Sequence, residues 1–171
     1  MRYFLFSIFA SCLLLANVAQ AMSTRVMTPE YLAKKLKHNG EFTSHIGHFG
    51  HIEYGNQFVG LLHYPSKNQN ACENFTQEAL FESYIQDDRV DTFPILLVDD
   101  GGCSRIQKAM NAETIGFKAV IIIDEDAEDF YQLRKNHQDK MKEIRLGESL
   151  NIPYFMITNS EGQTFKNYFE R

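Results

Sequence analysis

Cys103 is placed where several chemistries are open to it. It follows Asp99-Asp100-Gly101-Gly102 and precedes a run with helical spacing. A cysteine just ahead of a helix can be an activated thiolate, because the positive end of the helix dipole favours the charged form. Cys72 offers the alternative of a structural disulfide. Gly101-Gly102 in front of a helix could hold an anion on free backbone N–H groups. Asp99 and Asp100 oppose a negative ligand, so a tight turn is expected instead. His45, His48 and His51 recur every three residues and could ligate a metal ion. The glycines between them point to an irregular loop, and no metal site is expected. Residues 124–129, Asp-Glu-Asp-Ala-Glu-Asp, could ligate calcium. They lack the turn glycine of a dedicated calcium loop, so a solvated acidic loop is expected. Asn74-Phe75-Thr76 is an acceptor for N-glycosylation, and its place two residues after Cys72 implies an exposed turn. No Gly-x-Ser-x-Gly or His-Glu-x-x-His motif occurs, which argues against a hydrolase.

The elements that must position Cys103 are legible around it. Residues 93–98 are a continuous apolar run of β-formers, a strand buried on both faces. From Ser104, apolar or small residues at Ile106, Ala109, Met110, Ala112 and Ile115 keep helical spacing. Gly116 follows where a helix commonly ends on a left-handed residue. Residues 119–123, Ala-Val-Ile-Ile-Ile, make a second buried strand. Strand, helix and strand in this short span form a βαβ unit with a right-handed crossover.

The rest of the chain is read more coarsely. Residues 24–27 suit a short edge strand. Thr28 should cap a helix with Pro29 in its first turn, running to about Lys37 and stopping at Asn39-Gly40. Residues 44–56 are glycine-spaced and turn-rich. Residues 58–64 suit a strand ended by Pro65, and residues 67–70 a polar turn. A helical turn is expected over 78–85 and a helix over 130–144. Residues 152–158 read as a strand entered through Pro153. Asn159 or Ser160 should cap a last helix.

Residues 1–21 have the layout of a signal peptide: Arg2, an apolar stretch, then Ala19-Gln20-Ala21 with the small-x-small pattern of a cleavage site. The expected mature chain, residues 22–171, is one domain in size and contains no further run of membrane-spanning length. Loss of Arg2 leaves 16 basic against 22 acidic residues, a net charge of −6. That charge disfavours nucleic acid or an acidic membrane surface as partner. Cys12 leaves as well, and Cys72 and Cys103 remain. Two cysteines in an oxidising compartment are expected to pair. Their bond would close a loop of roughly 30 residues and contribute about 3–4 kcal/mol.

Cys103, Lys108, Asn111-Ala112, Gly116 and the apolar residues 119–123, preceded by Leu96-Leu97-Val98-Asp99 and Gly101, resemble the central motif of protease-associated (PA) domains. That motif runs Arg-Gly-x-Cys, then Lys, then Asn-Ala, then Gly before an apolar strand. Ile46-Gly47-His48-Phe49-Gly50, Tyr54-Gly55, Tyr64-Pro65, Asn68-Gln69, Ala71-Cys72 and Thr92-Phe93 resemble, more narrowly, the PA domain of plant-type vacuolar sorting receptors. Ile152-Pro153 matches the family's late strand. Asp100 stands where the family has arginine, and Arg105 where it has an aromatic residue.

The resemblance implies a mixed α/β, swivelling β/β/α fold: two packed sheets flanked by helices around the central βαβ unit. It implies no catalysis, no cofactor and no bound metal. In sorting receptors the corresponding loop helps to hold cargo peptide, so the resemblance assigns ligand binding to Asp100, Gly101, Gly102, Cys103 and Ser104. A PA-type sheet normally pairs its first strand with one after the last helix. Here the closing strand is expected to be missing, which leaves the first strand at an edge.

Three functions follow. The first, and the expectation, is a non-catalytic protein- or peptide-binding module of the secretory pathway, related to vacuolar or lysosomal cargo sorting. It would be secreted or lumenal, glycosylated at Asn74 and bridged between Cys72 and Cys103. The second is an accessory lid or docking module acting in trans on a secreted protease. The third is a thiol enzyme using Cys103, which requires a free thiol there.

Overall fold

The computed structural model describes residues 22–47, 50, 59–75, 93–139 and 150–170. In chain order they form β1 (Met22–Arg25), α1 (Glu30–Lys35), a 3-10 turn (Lys37–Gly40), β2 (Glu41–Ile46), β3 (Gly60–His63) and β4 (Phe93–Asp99). There follow α2 (Arg105–Thr114), β5 (Ala119–Asp124), α3 (Phe130–Asp139), β6 (Tyr154–Thr158) and α4 (Asn159–Phe169). The strand order is β1-β2-β6-β5-β4-β3.

β4, α2 and β5 form the expected βαβ unit, with β4 and β5 parallel from Ile95↔Ala119 to Asp99↔Ile123. β3 and β6 extend the parallel set on either side. β2 runs antiparallel and is shared: Glu41 to Ser44 pair with β1, and His45 and Ile46 pair with β6. Among the described residues β1 has β2 on one side and no strand on the other.

The continuous apolar runs are explained by burial on both faces. Every residue of β5 and β6 is buried. Because side chains alternate along a strand, Leu96, Val98, Val120, Ile122, Tyr154 and Met156 face one way. They meet Ala109 and Ala112 of α2 and Leu133 of α3. Leu97, Ile121, Ile123, Phe155 and Ile157 face the other way, against Leu32 of α1, Phe42 of β2 and Phe165 of α4. Helices therefore cover both faces, the condition under which parallel strands are stable.

α4 can lie this close to β5 because residue 162 has no side chain. A Cβ on Gly162 would stand 2.2 Å from Ile123 Cγ2. Gly162→Ala is thus expected to cost about 1–3 kcal/mol through forced separation of helix and sheet. Urea denaturation measures this directly, and an unchanged midpoint would show that the contact yields freely.

Several local expectations need correction. Residues 44–46 do not belong to an irregular loop. They complete β2, whose alternation buries Phe42 and Ser44 and exposes Glu41 and Thr43. Ser44 is buried because its hydroxyl lies 2.8 Å from that of Thr24 on β1. The cap of α4 is Thr158, not Asn159 or Ser160. Thr158 accepts from the Glu161 amide while the Glu161 carboxylate returns to the Thr158 amide, a capping box. α1 starts after Pro29, with no side-chain cap from Thr28, and gives way after Lys35 to the 3-10 turn. Asn39 and Gly40 then reverse the chain with φ of 55° and 98°. The expected signal peptide, the turn over 78–85, His48, His51 and the end of the helix expected over 130–144 lie outside the described residues.

Candidate functional site

Asp100 to Ser104 form the loop between the carboxyl end of β4 and the start of α2. Open parallel sheets commonly bind ligands at this end of their strands. Gly101 and Gly102 both adopt left-handed backbone, with φ of 81° and 76°, which is why the loop needs two glycines. They serve different purposes. A Cβ on Gly101 would meet nothing within 4 Å, whereas one on Gly102 would come within 2.7 Å of Asn70 Nδ2 and 3.0 Å of Cys72 Sγ. Gly102 therefore lets the loop lie flat on the turn at Asn70 to Cys72, and Gly101 forms its open crest.

Four ties fix the loop to that turn and to the sheet. Cys72 and Cys103 are disulfide-bonded, with a Cα–Cα separation of 5.6 Å. Lys108, fully buried on α2, donates from Nζ to Asn70 O at 2.6 Å and Gly101 O at 2.5 Å. Asn111, three residues on and on the same helix face, donates from Nδ2 to Ala71 O at 2.8 Å. The backbone closes the arrangement, with Asp99 N donating to Gln69 O and Asp100 N to Ile123 O. The Lys and Asn-Ala elements of the sequence motif thus clamp the loop. Ser104 caps α2 by accepting from Gln107 N at 3.1 Å.

Arg105 decides the electrostatics. Its side chain is only 5% exposed and lies between two carboxylates. Nη2 reaches Asp100 Oδ2 at 2.5 Å and Asp124 Oδ2 at 2.9 Å, and Nε reaches Asp100 Oδ2 at 3.2 Å. Burial by itself would lower the Arg105 pKa. Hydrogen bonds and charge from Asp100, then Asp124, more than reverse this and hold it above the ordinary value. Asp124 consequently does not belong to a solvated acidic loop. It ends β5, is buried, and also accepts from Asn136 Nδ2 and Asp126 N. The residues after it fit the sequence expectation, since Glu125, Asp126, Glu128 and Asp129 are exposed. Among the described residues no group of three or more His, Cys, Asp or Glu is arranged to hold a metal ion.

A second network braces β4 at the same end. Lys166 Nζ lies 3.0 and 2.9 Å from the two Asp99 oxygens, and Tyr64 OH donates to Asp99 Oδ2 at 3.0 Å. Partial burial, then the Asp99 charge, push the Tyr64 phenol up to about 12. A group whose pKa is raised by folding stabilises the fold below its ordinary value, so this contribution should fade as pH climbs from about 10 to about 12. Ultraviolet titration should show a tyrosinate component near 12 that Tyr64→Phe removes. Survival of that component in the variant would contradict the assignment.

The site thus brings Asp100, Gly101, Gly102, Cys103 and Ser104 together with Cys72. Asn74 is exposed close by, on a turn that Asn68 pins through two hydrogen bonds with the Glu73 backbone. His45 lies on β2, half-buried, with its ring tilted against Phe130 at a centroid distance of 5.8 Å. Sequence reasoning singled out neither Arg105 nor Asn70 as a site residue. Lys108 could have been suspected from its spacing, because residues 105, 108, 109 and 112 share one helix face.

The site is thus a parallel βαβ unit with a disulfide-anchored Gly-Gly-Cys loop at its carboxyl end, covered by helices on both faces. The PA domain model matches residues 59–165, and the chain belongs to the PA domain family. It is similar to vacuolar-sorting receptor 3 of Arabidopsis thaliana, 31% identical over 150 residues that make up 87% of this chain. Similarity to vacuolar-sorting receptor 1 of Pisum sativum is also 31%, over 151 residues and 88% of this chain. The E3 ubiquitin-protein ligase RNF13 of Bos taurus is 29% identical over 104 residues, 61% of this chain and 24% of the ligase. The chain spans about a fifth of the length of the receptors it matches, 22% in each case. No helix among the described residues is long and apolar enough to cross a membrane.

Proposed function

We propose that this chain is a non-catalytic protein- or peptide-binding module of the secretory pathway, acting in cargo sorting. The observation that carries this reading is similarity along 87% of the chain to receptors named for vacuolar sorting. The site supports it physically. A loop clamped by a disulfide and two buried side chains offers exposed backbone at Gly101 and Gly102 without having to be ordered on binding, which lowers the cost of association. The bonded state of Cys103 leaves it no free thiol, and this weighs against the thiol-enzyme reading. In this proposal residues 1–21 are a cleaved signal peptide, residues 22–171 act as one domain in the endomembrane lumen or outside the cell, and Asn74 carries an N-glycan.

Affinity capture from a secretory fraction tests the proposal, with the unmodified protein compared with Gly101→His. Histidine tolerates the left-handed conformation better than most residues, and the space above Gly101 is open. The variant should keep its fold and lose at least about tenfold in captured ligand. Capture of the same ligand at the same level by Gly101→His would move the binding surface away from this loop. A secreted protease as the captured species would replace sorting with the lid function.

A further inference from the structure

We propose that Cys103 is a site of thiol modification: an external thiol attacks its sulfur, and Cys72 departs as a thiolate stabilised by Lys108. The inference is independent of the binding function. It starts from the placement of Lys108. An ammonium group has three protons to donate, and three acceptors stand within reach of Lys108 Nζ. Among the described residues they are Asn70 O at 2.6 Å, Gly101 O at 2.5 Å and Cys72 Sγ at 3.5 Å. A fully buried cation thus touches one named sulfur of the disulfide.

The two sulfurs are therefore inequivalent as leaving groups. In thiol–disulfide exchange the sulfur with the lower thiol pKa leaves faster. Cys103 feels the start of α2, equivalent to roughly half a positive charge and partly spent on the Ser104 cap. Cys72 contacts a whole charge, carried by a side chain that is itself fully buried and so less screened by water. Thiolates beside a lysine are lowered well below the ordinary thiol range. Negative charge should accordingly be released on Cys72, and the incoming thiol should remain on Cys103.

The step balances without an external oxidant or reductant. The thiolate of a small thiol such as glutathione forms a bond to Cys103 Sγ, the Cys72–Cys103 bond breaks, and its electron pair goes to Cys72 Sγ. The attacking thiol has already lost its proton to solvent. The exposed crest at Gly101 and Gly102 adjoins Cys103, and both cysteines are partly exposed. Lys108 and Asn111 continue to tie the loop to the turn through carbonyl oxygens, so the exchange does not require unfolding.

The test is to incubate the folded, oxidised protein with reduced glutathione, quench with acid, alkylate free thiols and map both cysteines by peptide mass analysis. The expected result is glutathione on Cys103 and alkylation on Cys72, with about a tenfold excess over the reverse pattern. Lys108→Met should erase the excess, and Lys108→Arg should retain it. A structural role for Lys108 would alter the total extent of reaction and not its partition between the sulfurs. Adduct mainly on Cys72, an even distribution, or no adduct in the folded protein would overturn the proposal. The partition in the unmodified protein decides the matter even if neither variant folds.

Discussion

Replacing Arg105 with leucine is expected to destabilise the protein by about 3–5 kcal/mol. The substitution keeps an apolar stem in the space but removes the guanidinium that Asp100 and Asp124 share. The side chains of Asp100 and Asp124 are 9% and 1% exposed, so water cannot take the place of the guanidinium. Leaving a buried charge unpaired costs far more than the intact pair contributes. Urea denaturation of Arg105→Leu, Asp124→Asn and the double variant forms a cycle. The double variant should recover part of the loss, because Asp124→Asn removes one stranded charge, and the coupling should reach about 0.5–3 kcal/mol. Additive losses, or a cost below about 1 kcal/mol for Arg105→Leu, would mean that the site is hydrated in solution. The same variant should disturb the loop, since Asp100 begins it and is held there by Arg105.

The second large effect concerns the disulfide. Joint replacement of Cys72 and Cys103 by serine is expected to cost about 3–4 kcal/mol, because the bond restricts the unfolded chain across a long loop. The sequence separation of 31 residues sets that entropic estimate. In the folded state the loss should be local. The Asn70 to Cys72 turn keeps its hydrogen bonds to Lys108 and Asn111, so the double variant should fold with a lowered denaturation midpoint. Non-reducing mass analysis of the unmodified protein should show the two cysteine peptides linked. A double variant as stable as the parent would show that the two buried side chains suffice to hold the turn.

Much of the fold was legible because its signals are local. The apolar runs of β4 and β5, the spacing of Ile106, Ala109 and Ala112, and the left-handed Gly116 each follow from backbone sterics and periodic burial within a few residues. The pairing of Cys72 with Cys103 could be expected from the oxidising compartment and the count of remaining cysteines. The reading of the loop as a tight turn followed from two glycines beside two acids. What stayed hidden depends on partners distant in sequence. Residues 44–46 of β2 fall in a glycine-spaced stretch that reads as loop, and the pairing that makes them strand comes from β1 and β6, with Thr24 meeting the buried Ser44 hydroxyl. Thr158 ends a strand in the sequence pattern, yet it is also a helix cap, since one residue can close a ladder and open a helix.

The charge pattern shows the same division most clearly. Asp100, Arg105 and Asp124 are unremarkable as a string: an acid in a turn, a cation on a helix, an acid after a strand. The parallel register sets Asp99 opposite Ile123, which brings the carboxyl ends of β4 and β5 together and leaves Asp100 and Asp124 on either side of the first turn of α2. Helical spacing alone could place Lys108 on the inward face, but it could not show that two backbone carbonyls and a sulfur would meet it there. Sequence determined the central strands β4 and β5, the helix between them and its flanking turns, because burial periodicity and turn chemistry act over short range. Tertiary structure decided which charges are buried and paired, because desolvation is set by whatever the fold packs around each group.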